Sequence, residues 1–307
     1  MFFRNLCLFR LPADFNLAAS EFEARLDGRP LGHCGPFDML TRGWVPVGPT
    51  GRRLYTIGHH QLIALGVEQK LLPASVVRQV AAERAEQLAA EQGFPVGRKQ
   101  LRDLRLRVAD ELRARALVRR RVTHAWLDRE HGWLVVDAAG PGRAEEVVET
   151  LRETLGQFAA TGADTARSAR VAMGSWLAAG EATRPFTIDD DVELQAADGS
   201  RATIRHTRHP VDRAEARRHL GAGFVVTRLG LTWHERVACV LTDRLQVKRV
   251  EFLELEAAAA DAPDVDPLEQ FDIDFTVMSG ELAQLLTDLV AALGGEPGVA
   301  ADEAAAA

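Results

Sequence analysis

Apolar residues in FFRNLCLFRL, residues 2–11, fall at roughly alternate positions and predict a strand with one buried face. A short helix is expected over Ala18–Leu26. The following LGHCGPFDMLTRGWVPVGPTG is dense in Gly and Pro and predicts loop around a short extended piece at Gly43–Val47. A strand over Gln61–Glu68 then ends at Leu72-Pro73. Ser75 is the expected N-cap of a helix from Val76 to about Gln92, with Gly93 and Pro95 as its stop. A second helix, Arg98–Arg119, places Leu101, Leu104, Val108 and Leu112 on one stripe. The short connection makes the two helices an antiparallel hairpin, with Arg98, Arg102 and Arg105 on the wetter face.

Two apolar runs, THAWLD and WLVVDA, are separated by REHG and predict a β-hairpin turning at Gly132. An amphipathic helix follows in AEEVVETLRETLG. From Phe186 onward the pattern is strand-rich: FTIDDDVEL, RATIRHTRH, a helix over Asp212–His219, then FVVTRLGLTW, RVACVLTD and LQVKRVEFLEL. FDIDF, from Phe271, alternates like a strand and would put Asp272 and Asp274 on one face. The last helix is expected to start after Ser279 as N-cap and to stop at Gly294, with residues 298–307 a frayed tail. The fold class is α+β, two sheet-and-helix halves of similar order without a clean repeat period.

At 307 residues and 47% apolar content the chain can bury two cores or one elaborate one. Runs of about 18 uncharged apolar residues are missing and Arg4 and Arg10 interrupt the N-terminus, so neither a membrane span nor a secretory segment is expected and the cytoplasm is the expected compartment. Cys7, Cys34 and Cys239 are an odd set without paired spacing, suited to buried reduced thiols. The formal net charge of -7 conceals segregation: residues Arg98–Arg121 hold ten Lys or Arg against three acids, whereas fourteen Asp and Glu and no Lys or Arg follow Arg249. Such asymmetry points towards a polyanionic partner.

Catalytic signatures are sparse. No phosphate-cradling GxxxxGK[ST] loop occurs, and GAGFVV from Gly221 lacks the third glycine of a dinucleotide fingerprint and reads as a helix end. His59 and His60 are adjacent and His33 precedes Cys34, spacings that do not converge ligands on a metal from one local element, so neither metal nor other cofactor is expected. Asp272 and Asp274 on one strand face could hold Mg²⁺ as in nucleases, the alternative being a solvent-facing polar row.

The basic segment carries more. A helix over its 24 residues would run about 36 Å beside roughly twenty duplex phosphates. Arg113, Arg115, Arg119, Arg120 and Arg121 would point several ways around it, a diffuse surface for backbone contact instead of one recognition face. No aromatic residue lies in the segment, so stacking on single strands is poorly supplied. Duplex DNA is therefore the expected partner, with contacts from Arg98, Lys99, Arg102, Arg105, Arg113, Arg115, Arg119, Arg120 and Arg121. Arg205, Arg208 and Arg217, from a second basic cluster, would extend the track. An acidic protein partner, self-association and a merely solvated face are the competing readings.

Six colinear blocks (FFRNLCLFRL, CGPFDMLTRGWVP, KLLPASVV, the AWLD and LVVDAA pair, VVTRLGLTW, and FDIDFTVMSGELAQLLTDLVAALGGE) resemble the RdgC family of recombination-associated proteins along nearly the whole chain. The resemblance implies a non-catalytic, nucleoid-associated protein that binds double-stranded DNA without sequence preference. It further implies a ring-shaped homodimer with a positive inner wall that limits RecA-type recombinase activity. The implied organisation is a central α+β domain in two parts (1–75 and 122–180), a helical finger inserted at 76–121, and a base α+β domain at 181–297. By position, the implied dimer contacts are Leu117 in the finger, where relatives can carry an aromatic, and Thr207, Arg208 and His209 in the base. A nuclease using Asp272 and Asp274, and an adaptor that inhibits the recombinase by direct contact, are the alternatives.

Overall fold

The computed structural model describes residues 2–209, 211–253 and 266–297, so the expected tail at 298–307 and the end of LQVKRVEFLEL lie outside the described residues. The fold is α+β and is built on an antiparallel sheet. Its strands are β1 (Asn5–Arg10), β2 (Leu40–Val45), β3 (Tyr55–Ile57), β4 (His60–Leu71), β5 (Leu117–Asp128), β6 (Trp133–Asp137), β7 (Thr161–Gly162), β8 (Phe186–Ala196), β9 (Thr203–His206), β10 (Phe224–Trp233), β11 (Val237–Thr242) and β12 (Val247–Phe252). The helices are α1 (Ala19–Asp27), α2 (Ala74–Gln92), α3 (Arg98–Arg115), α4 (Pro141–Leu155), α5 (Ala169–Ala179), α6 (Arg213–Gly221) and α7 (Pro267–Ala292).

The order β2-β4-β5-β6-β1-β12-β11-β10-β8-β9 runs through both halves of the chain, joined where Asn5 and Leu6 of β1 register with Lys248 and Val247 of β12. Strand alternation sends the central strands' side chains to two cores. Leu62, Ala64, Trp126, Trp133 and Val135 join Met173 and Trp176 of α5 and Phe275, Leu282 and Leu286 of α7. Ile63, Leu65, Ala125, Leu127, Leu134 and Val136 face the other way, onto Phe22 and Leu26 of α1 and Val147 and Leu151 of α4. Covered on both faces, β4 is buried nearly throughout, and its middle, Leu62–Val67, is an unbroken non-polar run instead of an alternation. Gly43 in β2 is required by packing: a Cβ there would lie 2.4 Å from the Pro30 carbonyl oxygen, where the chain crosses close to Trp44.

Four expectations are corrected. FDIDF is not a strand: Pro267 starts α7 at its first turn, and Phe271 and Phe275, one helical turn apart, both pack on the Tyr55 ring with centroids at 4.9 and 5.5 Å. Ser279 is accordingly no cap; it is fully buried within α7, its hydroxyl donating to the Thr276 carbonyl at 3.2 Å. Ser75 does not cap α2 either, because the helix begins at Ala74 behind Pro73. Of the three free thiols, Cys7 and Cys239 are buried as expected but Cys34 is only half-buried, beside the Glu68 carbonyl at 3.2 Å. The α5 segment ARVAMGSWLAA gave no helix signal because it lacks a charged face: it is buried through Ala169, Ala172, Met173, Trp176 and Leu177.

Candidate nucleic-acid interface

Strands β4 and β5 pair from His60–Asp128 to Leu71–Leu117, and the two helices α2 and α3 are inserted between their far ends. Gly93 ends α2 in the left-handed conformation at φ 76°, where a side chain would be strained. Gln100 then accepts the Gly97 N–H at 3.0 Å and closes the first turn of α3. Val108 is fully buried against α2, Leu101, Leu104 and Leu112 are half-buried beside it, and Ala81 is the buried residue of α2. One ion pair, Arg84 Nη2 to Glu111 at 2.7 Å, crosses between the helices and holds the Glu111 carboxyl below its usual range.

With that stripe turned inward, Arg98, Lys99, Arg102 and Arg105 are exposed, and none of them forms an ion pair among the described residues. Arg98, Arg102 and Arg105 follow i, i+4, i+7 spacing and share one face. Arg115 is also exposed, at the helix end, whereas half-buried Arg113 is turned back onto Asp110 at 2.9 Å.

RARALVRRR divides between two elements, contrary to the expected continuous helix to Arg119. The helix stops at Arg115, and Arg119, Arg120 and Arg121 lie on β5 opposite Gln69, Glu68 and Val67. At 18 residues α3 runs about 27 Å, a length that would match roughly sixteen duplex phosphates. Strand geometry separates the last three arginines: Arg120 is exposed, Arg119 bonds Gln69 at 3.2 Å, and Arg121 is half-buried on Glu146 of α4. Because β6 registers with β5 only from Ala125 onward, the Leu117–His124 edge is open on that side. Leu117 at 77% exposure, with Val118 and Val122, adds exposed apolar side chains to that edge on either side of its arginines.

The second basic cluster lies far along the sheet. Seven strand spacings separate β5 from β9, on the order of 30 Å. Arg205 pairs with Glu193, directly opposite on β8, through Nε at 2.9 Å. Arg217 is exposed and reaches the Ala178 carbonyl at 2.9 Å; Thr207, Arg208 and His209 are exposed, with the Arg208 amide bonded to Asp191 at 3.1 Å. Sequence reading passed over Arg228, Lys248 and Arg249, which join Arg205 around a cavity of about 200 Å³. They come from β10 and β12, and only sheet pairing brings them together, so no local signal marked them.

Asp272 and Asp274 do not share a face. Two residues apart on a helix, they diverge by about 200°. Asp272 accepts the Tyr55 hydroxyl, and Asp274 accepts the Gln270 amide at 2.6 Å. The two-carboxylate Mg²⁺ site of the nuclease alternative therefore does not form there. The adjacent His59 and His60 instead meet Asp128, Glu130 and His131 across neighbouring turns, a convergence that local spacing could not reveal. No helix among the described residues is long and apolar enough to cross a membrane.

A family profile described as "Putative exonuclease, RdgC" matches residues 1–296. The recombination-associated protein RdgC of Dechloromonas aromatica is 46% identical over 301 residues, 96% of this chain and 98% of that one. Its namesake from Cupriavidus pinatubonensis is 42% identical over 296 residues, covering 96% and 99% of the two chains. That from Burkholderia orbicola is 41% identical over 307 residues and the full length of both. The likeness takes in every strand and helix from β1 to α7, and the chain belongs to the RdgC family of recombination-associated proteins.

Proposed function

We propose that this chain binds double-stranded DNA through its phosphates, without sequence preference, and acts as a homodimer that encircles the duplex and limits RecA-type recombinase activity in the nucleoid-associated cytoplasm. The observation that carries the reading is the row Arg98, Lys99, Arg102 and Arg105: four exposed cations on one helix without a carboxylate partner among the described residues. Some arginines elsewhere, such as Arg42, Arg53, Arg205 and Arg236, have carboxylate partners, while others, such as the exposed Arg78, Arg201 and Arg218, have none among the described residues; what sets α3 apart is that four such cations lie on one helix. Exposed cations left unpaired in a chain of net charge -7 retain their full attraction for a polyanion.

The open strand edge at Leu117–Val122, with exposed Leu117, Val118 and Val122, suits a second copy of the chain, in keeping with the expected finger contact at Leu117. The base contact is assigned to Thr207, Arg208 and His209. The engagement of Asp272 with Tyr55 supports a binding protein over a nuclease at that position.

A salt series on linear and closed circular duplex tests the reading. With six to ten phosphate contacts, affinity drops about 10³ to 10⁵-fold between 50 and 200 mM salt, and scrambling the sequence changes little. Encirclement predicts that complexes on closed circles outlast those on linear DNA in a high-salt wash. A flat salt response would reject phosphate binding, cleavage of the DNA with Mg²⁺ would restore the nuclease, and recombinase inhibition that survives neutralisation of the α3 arginines would favour the adaptor.

A further inference from the structure

The turn between β3 and β4 and the turn between β5 and β6 are neighbours, tied by the Arg129 amide donating to the His59 carbonyl at 3.2 Å. Between them they gather three imidazoles and two carboxylates. One ligand atom from each of His59, Glu130 and His131 lies within 4.8 Å of the others, and His59 Nε2 is 3.0 Å from Glu130 Oε2 and 3.9 Å from Asp128 Oδ1. Ligand atoms of a tetrahedral Zn²⁺ site sit roughly 3.4 Å from one another. We propose that this cluster is a transition-metal site, selecting Zn²⁺, with His59, Glu130 and His131 as ligands and Asp128 as the residue that positions His131.

The buried carboxylate distinguishes this from a chance surface group. Asp128 is fully buried, and its Oδ1 accepts the Glu130 and His131 amides at 3.0 and 3.2 Å while Oδ2 lies 2.7 Å from His131 Nδ1. A carboxylate only accepts, so the His131 proton sits on Nδ1 and the other ring nitrogen keeps its lone pair, the arrangement carboxylates impose behind metal-bound histidines. His60 stays out of the ligand set: its Nδ1 accepts the Trp126 indole N–H at 3.2 Å, which holds the ring beside His59 at a centroid distance of 4.1 Å. Two imidazoles with carboxylate oxygen match a borderline cation better than Mg²⁺ or Ca²⁺, which take oxygen alone. Occupied, the site would pin two hairpin turns that are otherwise joined by one backbone hydrogen bond and the His59 contacts, a structural staple independent of DNA binding.

A second group, His206, Glu215 and His219, also converges within 4.8 Å, but its one carboxylate already faces His219 at 3.5 Å and, among the described residues, no buried carboxylate backs either ring. The experiment separates the two. Full-length protein stripped with chelator is titrated with Zn²⁺ by calorimetry and its melting temperature is followed with and without the ion. The expected result is one equivalent bound per chain and a raised melting temperature, with affinity falling at least tenfold in His59→Ala and in His131→Ala and unchanged in His206→Ala. Both rings are more than 40% exposed, so the variants should fold, and circular dichroism with unaltered DNA binding checks this. Co²⁺ in place of Zn²⁺ gives an independent readout through the visible spectrum of four-coordinate cobalt. No binding, binding indifferent to His59 and His131, or binding lost in His206→Ala would overturn the proposal.

Discussion

Arg121 Nη2 lies 2.8 and 2.6 Å from the two carboxylate oxygens of Glu146, tying β5 to α4 across the mouth of the helical insertion. One of nine residues in RARALVRRR is thereby spent on the fold. Removing one partner of a pair this buried leaves the other uncompensated, at a cost of about 1–3 kcal/mol. Arg121→Ala is expected to lower the denaturant midpoint by that amount and to change DNA affinity little. Chemical unfolding and a binding isotherm on the same sample separate the two effects.

Arg98, Arg102 and Arg105 should behave in the opposite way. Replacing all three by alanine touches exposed side chains without ion-pair partners, so stability is expected to stay within about 0.5 kcal/mol per site. The slope of log affinity against log salt should shrink by about three, equally for every sequence tested. A loss of preference at one base position would mean direct base readout instead.

Asp272 is a structural residue on this reading. Asp272→Asn replaces a charged acceptor of the Tyr55 hydroxyl by a neutral one and should cost about 1 kcal/mol of stability. DNA incubated with Mg²⁺ and either protein should give the same gel pattern; cleavage by the wild type that disappears in the variant would return this residue to catalysis.

His124 links the sheet to pH. Burial pushes its imidazole pKa below the usual 6.5, against the opposing pull of Asp137. The unfolded chain then binds the proton more readily than the folded one, so stability is full above the unfolded value and declines as pH falls through it towards the folded value. Melting temperature should drop as pH falls below the usual imidazole value, and less so in His124→Gln, which cannot ionise. An identical drop in the variant would place the titration elsewhere.

Much of the candidate interface was legible because it depends on local pattern. The Leu101, Leu104, Val108, Leu112 stripe and the Gly93 stop define a helical hairpin by period and turn chemistry alone, and the charged face follows from where that stripe points. Beyond Arg115 the same reasoning failed. Arginine is a good helix former, and nothing within ALVRRR states that its backbone groups will be taken by β4 through a register set some fifty residues earlier in the chain. FDIDF failed for a related reason: over five residues the i, i+4 pair Phe271 and Phe275 is also an i, i+2, i+4 alternation, and the Tyr55 ring that both aromatics pack on lies more than two hundred residues away in the chain.

By itself, the order of residues determined the α+β class, the helical hairpin and the segregation of charge, since these follow from spacing along the chain, while its six colinear blocks carried the resemblance to the RdgC family. Tertiary structure alone decided which arginines remain available: Glu146, Asp110 and Glu193 reach Arg121, Arg113 and Arg205, while Arg98, Lys99, Arg102 and Arg105 are left without a carboxylate among the described residues. It also decided that His59, Glu130 and His131 meet. Sequence carries the charge of a side chain, but what that charge can bind depends on the neighbours that reach it first, and folding brings those from distant parts of the chain.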